Sequence, residues 1–171
     1  MLTEHDFSYC PKCGNQFGER RSNLLVCKKC DLHFYISPRP TSEIIFEDKK
    51  GRILLVKRKY PPKKGFYDLP GGFVDINETA EAALQREIRE ELGIKITEFT
   101  FLGTNLSRYV HKGVKYYTIA LTFVGPLPED QKITVSSDIS GVQLFEKDKI
   151  PFDKLSFEGI KVALKNYLKN K

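Results

Sequence analysis

The 171-residue chain is expected to be an α/β sandwich behind a small N-terminal module folded around a metal. Three observations lead there. Strand-forming runs come first, then a glycine-bounded helix, then more strands and a closing helix. The central helix, Thr79 to Leu92, contains no Gly or Pro and carries glutamates beside an apolar face. All four cysteines fall in the first 30 residues, in two Cys-x2-Cys pairs.

Cys10-Pro-Lys-Cys13 and Cys27-Lys-Lys-Cys30, separated by 13 residues, read as a tetrahedral zinc site. Asn23 to Val26 and Leu32 to Ile36 are strand-forming runs around the second pair. Disulfides and a redox dithiol are the competing readings. The first is disfavoured in a cytosolic chain, and the second needs only one pair. His33 is read as a strand residue, since four thiolates already complete the shell. A module spanning residues 1–37 is too small to build a sufficient core, so zinc would supply its folding energy.

Ser37-Pro38-Arg39-Pro40 is a proline-rich break and marks the expected boundary with a second module, 38–171. Thr41 to Phe46 and Arg52 to Lys57 follow as strands across the turn Glu47 to Gly51. Pro61 to Gly65 is a loop that leads through Phe66-Tyr67-Asp68-Leu69 to the glycine loop Pro70-Gly71-Gly72. Beyond the helix, Ile96 to Leu106 and Lys115 to Val124 are strands joined near His111-Lys112-Gly113. Gly141 to Phe145 is a short strand, and Ser156 to Leu168 an amphipathic helix turning Ile160, Leu164 and Leu168 inward.

The central helix has its own start and stop signals. Asn77 is the expected N-cap, and Gly93 ends the helix. Ala80, Ala83, Leu84 and Ile88 recur at three- and four-residue intervals as the apolar face. Glu87, Glu90 and Glu91 stand at i, i+3 and i+4, where like charges cost about 0.2–0.5 kcal/mol per pair. A hard divalent cation would remove that repulsion and suit an all-oxygen site. Arg86, four residues before Glu90, is placed to hold that carboxylate. Three glutamates alone would more often be a solvated face. The glycines, which let backbone approach a ligand closely, and Glu78 reverse that judgement.

Residues 72–94 also fit the pattern G-x5-E-x7-R-E-I-x-E-E-x-G-I at Gly72, Glu78, Arg86, Glu87, Ile88, Glu90, Glu91, Gly93 and Ile94. By that motif the chain resembles Nudix hydrolases. The resemblance implies a mixed-sheet α/β/α sandwich over 38–171 and hydrolysis of a nucleoside diphosphate linked to another group. It further implies Glu87 and Glu91 as main Mg²⁺ or Mn²⁺ ligands and Glu90 as a further ligand or the base. Arg86 would be an orienting residue, and Gly71, Gly72 and Glu78 would shape the phosphate loop. An additional acidic ligand is implied before the late strand Val142 to Phe145, and Asp138 is the only acid between Ile133 and Gly141. The alternative there is a turn aspartate.

A zinc ribbon ahead of such a domain is similar to NADH pyrophosphatases, which also remove NAD caps from RNA. Those enzymes carry Ser-Gln-Pro-Trp-Pro-Phe-Pro after the motif. This chain has no tryptophan, and the corresponding stretch is Leu102 to Tyr109. ADP-ribose, a dinucleotide or a sugar nucleotide is therefore the favoured substrate, with NADH or NAD the alternative. Tyr109, Tyr116 and Tyr117 are candidates for stacking a base, although aromatics on strands are more often core.

Composition bounds the rest. Hydrophobic residues at 40% and aromatics at 12% suit a globular protein. No apolar run approaches the roughly 18 residues of a membrane span. Met1 to Cys10 lacks the basic start and apolar stretch of a secretory leader, so a cytoplasmic location is the default expectation. The net charge of +6 suits a polyanion, either nucleic acid or a small phosphorylated substrate. Its lysines are scattered as on ordinary solvated surface, so nucleic acid is not the favoured partner. A nucleotide-sensing nucleic-acid-binding protein is nevertheless the reading from another class. A homodimer is compatible with the sequence.

Overall fold

The computed structural model describes residues 7–169. The expected absence of a leader over Met1 to Cys10 falls in part, and the outer ends of both module ranges fall wholly, outside these residues. A three-stranded antiparallel sheet comes first: β1 (Glu19–Arg21), β2 (Leu24–Val26) and β3 (His33–Tyr35). Beneath it lie Phe17, Leu25, Cys10 and Cys27, with Phe34 and Phe7 against them. Strand β1, in the charged run Glu19-Arg20-Arg21, was not expected. It forms because Leu24 and Leu25 pair back onto it through a tight turn with Ser22 at positive φ.

The rest is a seven-stranded mixed sheet between two helices. Its strands are β4 (Arg39–Glu47), β5 (Ile53–Arg58), β6 (Tyr67–Asp68), β7 (Gly71–Phe73), β8 (Thr100–His111), β9 (Val114–Pro126) and β10 (Ile139–Phe145). Five of them run in the order β10-β5-β4-β9-β8, with β6 on β5 and β7 on β4. The β4–β9 pair is parallel and the others antiparallel. Helix α1 (Ala80–Leu92) covers one face and α2 (Glu158–Lys169) the other.

The strands show why both faces need cover. Ile44, Phe46, Leu54 and Val56 enter the core beneath α1, where Leu84, Ile88 and Leu92 meet them. Ile45, Ile53 and Leu55 point the other way, onto Ile160, Ala163, Leu164 and Tyr167 of α2. A strand apolar on both faces reads as a continuous run, which is how Ile-Ile-Phe and Ile-Leu-Leu-Val appear in the sequence. Each fully buried Leu or Ile contributes about 1.5–3 kcal/mol to this packing.

Four local expectations are corrected. The N-cap of α1 is Thr79, whose hydroxyl accepts from Ala82 N at 3.2 Å. Asn77 instead takes a left-handed turn conformation at φ 69°, which asparagine tolerates better than most residues. Ile96 to Glu98 is not strand. Its neighbour Lys95 exchanges backbone bonds with the Gln131 amide, and Ile96 O accepts from Gln85 Nε2 at 3.0 Å. Side chains thus satisfy this segment while Ile94 and Ile96 fill the core. Arg39 and Pro40, read as part of a break, begin β4 alongside Thr118 and Ile119 of β9. The glycine loop is partly strand, with Gly71 opposite Glu43 and Gly72 opposite Ser42.

Candidate active site

The site is built where α1 faces the Gly71–Phe73 strand. Gly93 ends the helix at φ 69° and donates to Arg89 O, which fixes the last turn carrying Glu90 and Glu91. Gly71 has φ 140°, and a β-carbon there would overlap the Ser42 carbonyl oxygen. Only glycine lets β7 lie this close to β4. Gly72 is constrained from the opposite side, because its β-carbon would occupy the space of the Glu87 carboxylate. The two glycines therefore hold the loop against the sheet and leave room for a helix carboxylate.

The carboxylates have separate settings. Glu91 accepts the Gly71 N–H at 3.1 Å, and burial pushes it up to about 8 against that hydrogen bond. Glu87 accepts Arg86 Nη1 at 2.7 Å, and burial raises it as well, with the guanidinium opposing. Glu90 is the exposed member, 3.3 Å from Arg86 Nη1. Glu78 takes the guanidinium at 2.7 and 3.2 Å and the Asp75 N–H at 2.7 Å. Those bonds, Arg86's first, draw Glu78 below the usual carboxylate range. Arg86 also donates to Phe73 O at 2.9 Å. Glu78 is thus a partner of Arg86, and Arg86 ties helix, loop and two site carboxylates together. The expected hold on Glu90 exists, but it is the longest of Arg86's hydrogen bonds in this group.

Asp138 is exposed and lies in a loop that is pinned to α1 by Thr134 N to Leu92 O and Ser136 N to Glu91 O, at 2.8 and 3.0 Å. It lines a cleft of about 200 Å³ together with Glu91, Asp68 and Arg58. Its Oδ1 is 3.4 Å from the Ser137 hydroxyl.

Several residues of the site carried no sequence signal. Asp68 pairs with Arg58 at 2.9 Å and accepts the Leu69 N–H, and burial raises its carboxyl despite Arg58. Glu43 is 8% exposed, accepts the Thr122 hydroxyl at 2.8 Å and is pushed up to about 7 by burial, then by nearby Asp68. With Gly71, Gly72 and Arg58, these two acids line a cavity of about 220 Å³ that continues to Tyr109 and Phe157. Both lie in short or apolar strands, where one acid among hydrophobics looks like chance until the sheet is assembled.

The donor chemistry suits a hard divalent cation. Glu87, Glu90 and Glu91 are oxygen donors on one helix, two of them held at unfavourably raised pKa by burial, as extra positive charge would relieve. The cysteine module suits zinc. Its four sulfurs lie within 4.8 Å of one another, the one such group of three or more metal-ligating side chains among the described residues. Cys10–Cys30 and Cys13–Cys27 are 3.6 Å apart, and all four thiols are free. A disulfide requires about 2.05 Å. Sulfurs about 2.3 Å from a tetrahedral zinc would be spaced much as these are. No helix among the described residues is long and apolar enough to cross a membrane.

Comparison with known proteins agrees with this geometry. The model of the NUDIX domain matches residues 37–164. An ADP-ribose pyrophosphatase from Methanocaldococcus jannaschii is 34% identical over 158 residues, covering 91% of this chain and 89% of its own. The NAD-capped RNA hydrolase NudC of Haemophilus influenzae is 36% identical over 108 residues, covering 61% of this chain; the chain spans 39% of that relative's length. A Nudix hydrolase from Nitrosomonas europaea superposes with a TM-score of 0.69 at 24% identity, over 96% of this chain and 92% of that one. The Nudix domain of Shewanella oneidensis NrtR, solved with ADP ribose, gives 0.65 at 17% over 80% and 90%. The chain belongs to the Nudix family and is a Nudix pyrophosphohydrolase.

Proposed function

We propose that this Nudix hydrolase cleaves the pyrophosphate of a nucleoside diphosphate linked to a second group, with ADP-ribose or a closely related compound as its substrate. The observation that carries this reading is the meeting of Glu87 and Glu91 with the double-glycine strand, whose two glycines also line the cavity of about 220 Å³. The relative named as an ADP-ribose pyrophosphatase supports the choice of substrate, since the match runs nearly end to end in both chains. NADH is the second reading, favoured by the NudC match and by the cysteine pairs. Against it stands Leu102 to Tyr109, which forms much of β8 and lacks the proline- and tryptophan-rich signature.

In this proposal Glu87, Glu90 and Glu91 hold Mg²⁺ or Mn²⁺, with Asp138 reaching in from its loop. The cation, when bound, neutralises phosphate charge and lowers the pKa of a water. Arg86 orients Glu87 and Glu90 and is itself fixed by Glu78. Glu91 is set by the Gly71 N–H, and Gly72 provides the clearance Glu87 needs. Arg58, beside Asp68, is placed to meet a phosphate oxygen. Zinc at Cys10, Cys13, Cys27 and Cys30 is structural, because four thiolates leave no open position. The zinc module ends near residue 37 and the hydrolase module follows.

The test is a panel of ADP-ribose, NADH, NAD⁺, Ap4A, sugar nucleotides and dNTPs with Mg²⁺ or Mn²⁺, read by chromatography of the phosphate products. Cleavage of ADP-ribose to AMP and ribose 5-phosphate is expected to be fastest. Glu91→Gln should lower kcat by orders of magnitude with folding retained. Near-normal turnover in that variant overturns the assignment of the site, and faster cleavage of NADH overturns the choice of substrate. Asp138→Asn should raise the Mg²⁺ concentration needed without lowering Tm.

A further inference from the structure

Glu43 is a buried acid to which the reading above gives no task. It alternates with Ile44 along β4 and so faces the α2 side of the sheet, as Ile45 does. There it lines the cavity of about 220 Å³ together with Thr41, Thr118 and Ile160. Its Oε1 accepts the Thr122 hydroxyl at 2.8 Å, and Thr122 accepts from Asn105 Nδ2 at 3.1 Å. A threonine hydroxyl has one proton, so the bond from Asn105 turns that proton toward Glu43. Glu43, Thr122 and Asn105 are all buried, and they come from β4, β9 and β8. Three strands therefore devote interior positions to fixing one carboxyl group.

The network holds one oxygen and leaves the other open. Among the described residues Glu43 makes no further hydrogen bond and no ion pair. Arg58, the cation lining the same cavity, is committed to Asp68 and to the Pro62 carbonyl, at 2.9 Å each. Thr118 is buried beside the cavity as well, and its hydroxyl has no partner among the described residues. Packing alone would favour an apolar residue at Glu43, because burying a charge without a counter-charge is costly. A ligand that donates hydrogen bonds into the cavity accounts for it.

Placement narrows the ligand group. Glu43 is the strand partner of Gly71, so the two backbones lie side by side at the glycine strand. In a nucleotide whose phosphates lie over Gly71 and Gly72, the ribose follows after a single methylene and falls beside Glu43. An ionised carboxylate only accepts hydrogen bonds, and the two hydroxyls of a ribose both donate. An acidic side chain reads ribose hydroxyls in the same way in dinucleotide-binding sheets.

We propose that the open carboxylate oxygen of Glu43 accepts from the ribose diol of the substrate, which makes Glu43 a specificity-determining residue for an intact ribose. Thr122 and Asn105 are positioning residues that act through it. The orientation of the ligand rests on the proposed pyrophosphohydrolase reading.

The experiment is calorimetric binding to the full chain at pH 8 without divalent metal, with AMP and 2′,3′-dideoxy-AMP as probes. At that pH the carboxyl, which burial pushes up to about 7, is mostly ionised. The wild type should bind AMP about tenfold or more tightly than the dideoxy compound, as a hydrogen bond to a charged group implies. Glu43→Ala should reduce that preference to within about twofold while leaving the affinity for dideoxy-AMP unchanged, which also reports that the cavity is folded. Glu43→Gln keeps the shape and the Thr122 bond but loses the charge, and it should cut the preference by about threefold or more. Equal binding of the two probes by the wild type overturns the proposal, as does no binding of either. A full preference for AMP in Glu43→Gln, or equal weakening of both probes, overturns it too. Because the assay needs no metal and no cleavage, its outcome is independent of the Glu91→Gln test.

Discussion

Arg86 and Glu78 face each other from two turns inside a helix and the turn before it, joined by bonds of 2.7 and 3.2 Å. The same guanidinium reaches Glu87 at 2.7 Å and Phe73 O at 2.9 Å. One planar cation thus sets the distance between the glycine strand and the carboxylate-bearing face of α1. Its protonated form is strengthened first by Glu78 and then by Glu87, so it stays charged throughout the working range.

Arg86→Lys keeps the charge but has no fork with which to span Glu78, Glu87 and the Phe73 carbonyl. The variant should lose about 2 kcal/mol of stability and roughly tenfold or more in kcat. Thermal unfolding and steady-state rates measure the two. Wild-type values for both would show that the pairing is incidental.

Gly72→Ala tests the clearance at Glu87. The added methyl would displace only the end of a flexible side chain, so Tm should stay within a few degrees of wild type. The displaced carboxylate should lower kcat by roughly 100-fold and raise the Mg²⁺ concentration for half-maximal rate. An active, Mg²⁺-sensitive Gly72→Ala protein would contradict the place given to Glu87.

Glu43 gives a prediction in pH. Its carboxyl is pushed up to about 7 in the folded chain, against about 4.3 when unfolded. The folded state binds this proton more tightly, so the contribution to stability is complete below about pH 4.3 and is lost as pH rises through about 7. Between pH 5 and pH 8 the wild type should lose stability relative to Glu43→Gln, which cannot titrate. Urea unfolding of both proteins across that range reads the difference, and a constant difference would rule the shift out.

Zinc removal should act on the first 37 residues before the rest. Elemental analysis should find one zinc per chain, and a strong chelator should release it. Proton amide exchange should then rise across β1 to β3 while β4, β5 and β9 stay protected. A metal-free protein with the first sheet equally protected would refute a structural zinc.

Local chemistry alone was enough to read α1, its terminal glycine, the cysteine pairs and the apolar runs of β4 and β5. Each depends on spacing along the chain: 3.6-residue periodicity, Cys-x2-Cys knuckles, or unbroken hydrophobic strands. Glu87, Glu90 and Glu91 were legible for the same reason, since a helix converts spacing directly into a shared face. The start of the helix misled, because Asn77 and Thr79 are both good caps and only the folded turn selects Thr79.

What tertiary structure decided was everything that depends on strands meeting. Glu43 and Asp68 come to Gly71 only when β4, β6 and β7 share a sheet, and burial there, rather than residue type, raises their pKa values. Tyr109, Tyr116 and Phe157 are separated by up to 48 positions in the sequence and become one wall through the β8–β9 register and the seating of α2 on Ser107. Sequence fixes what a residue can do, whereas desolvation and stacking require neighbours that the chain supplies from a distance.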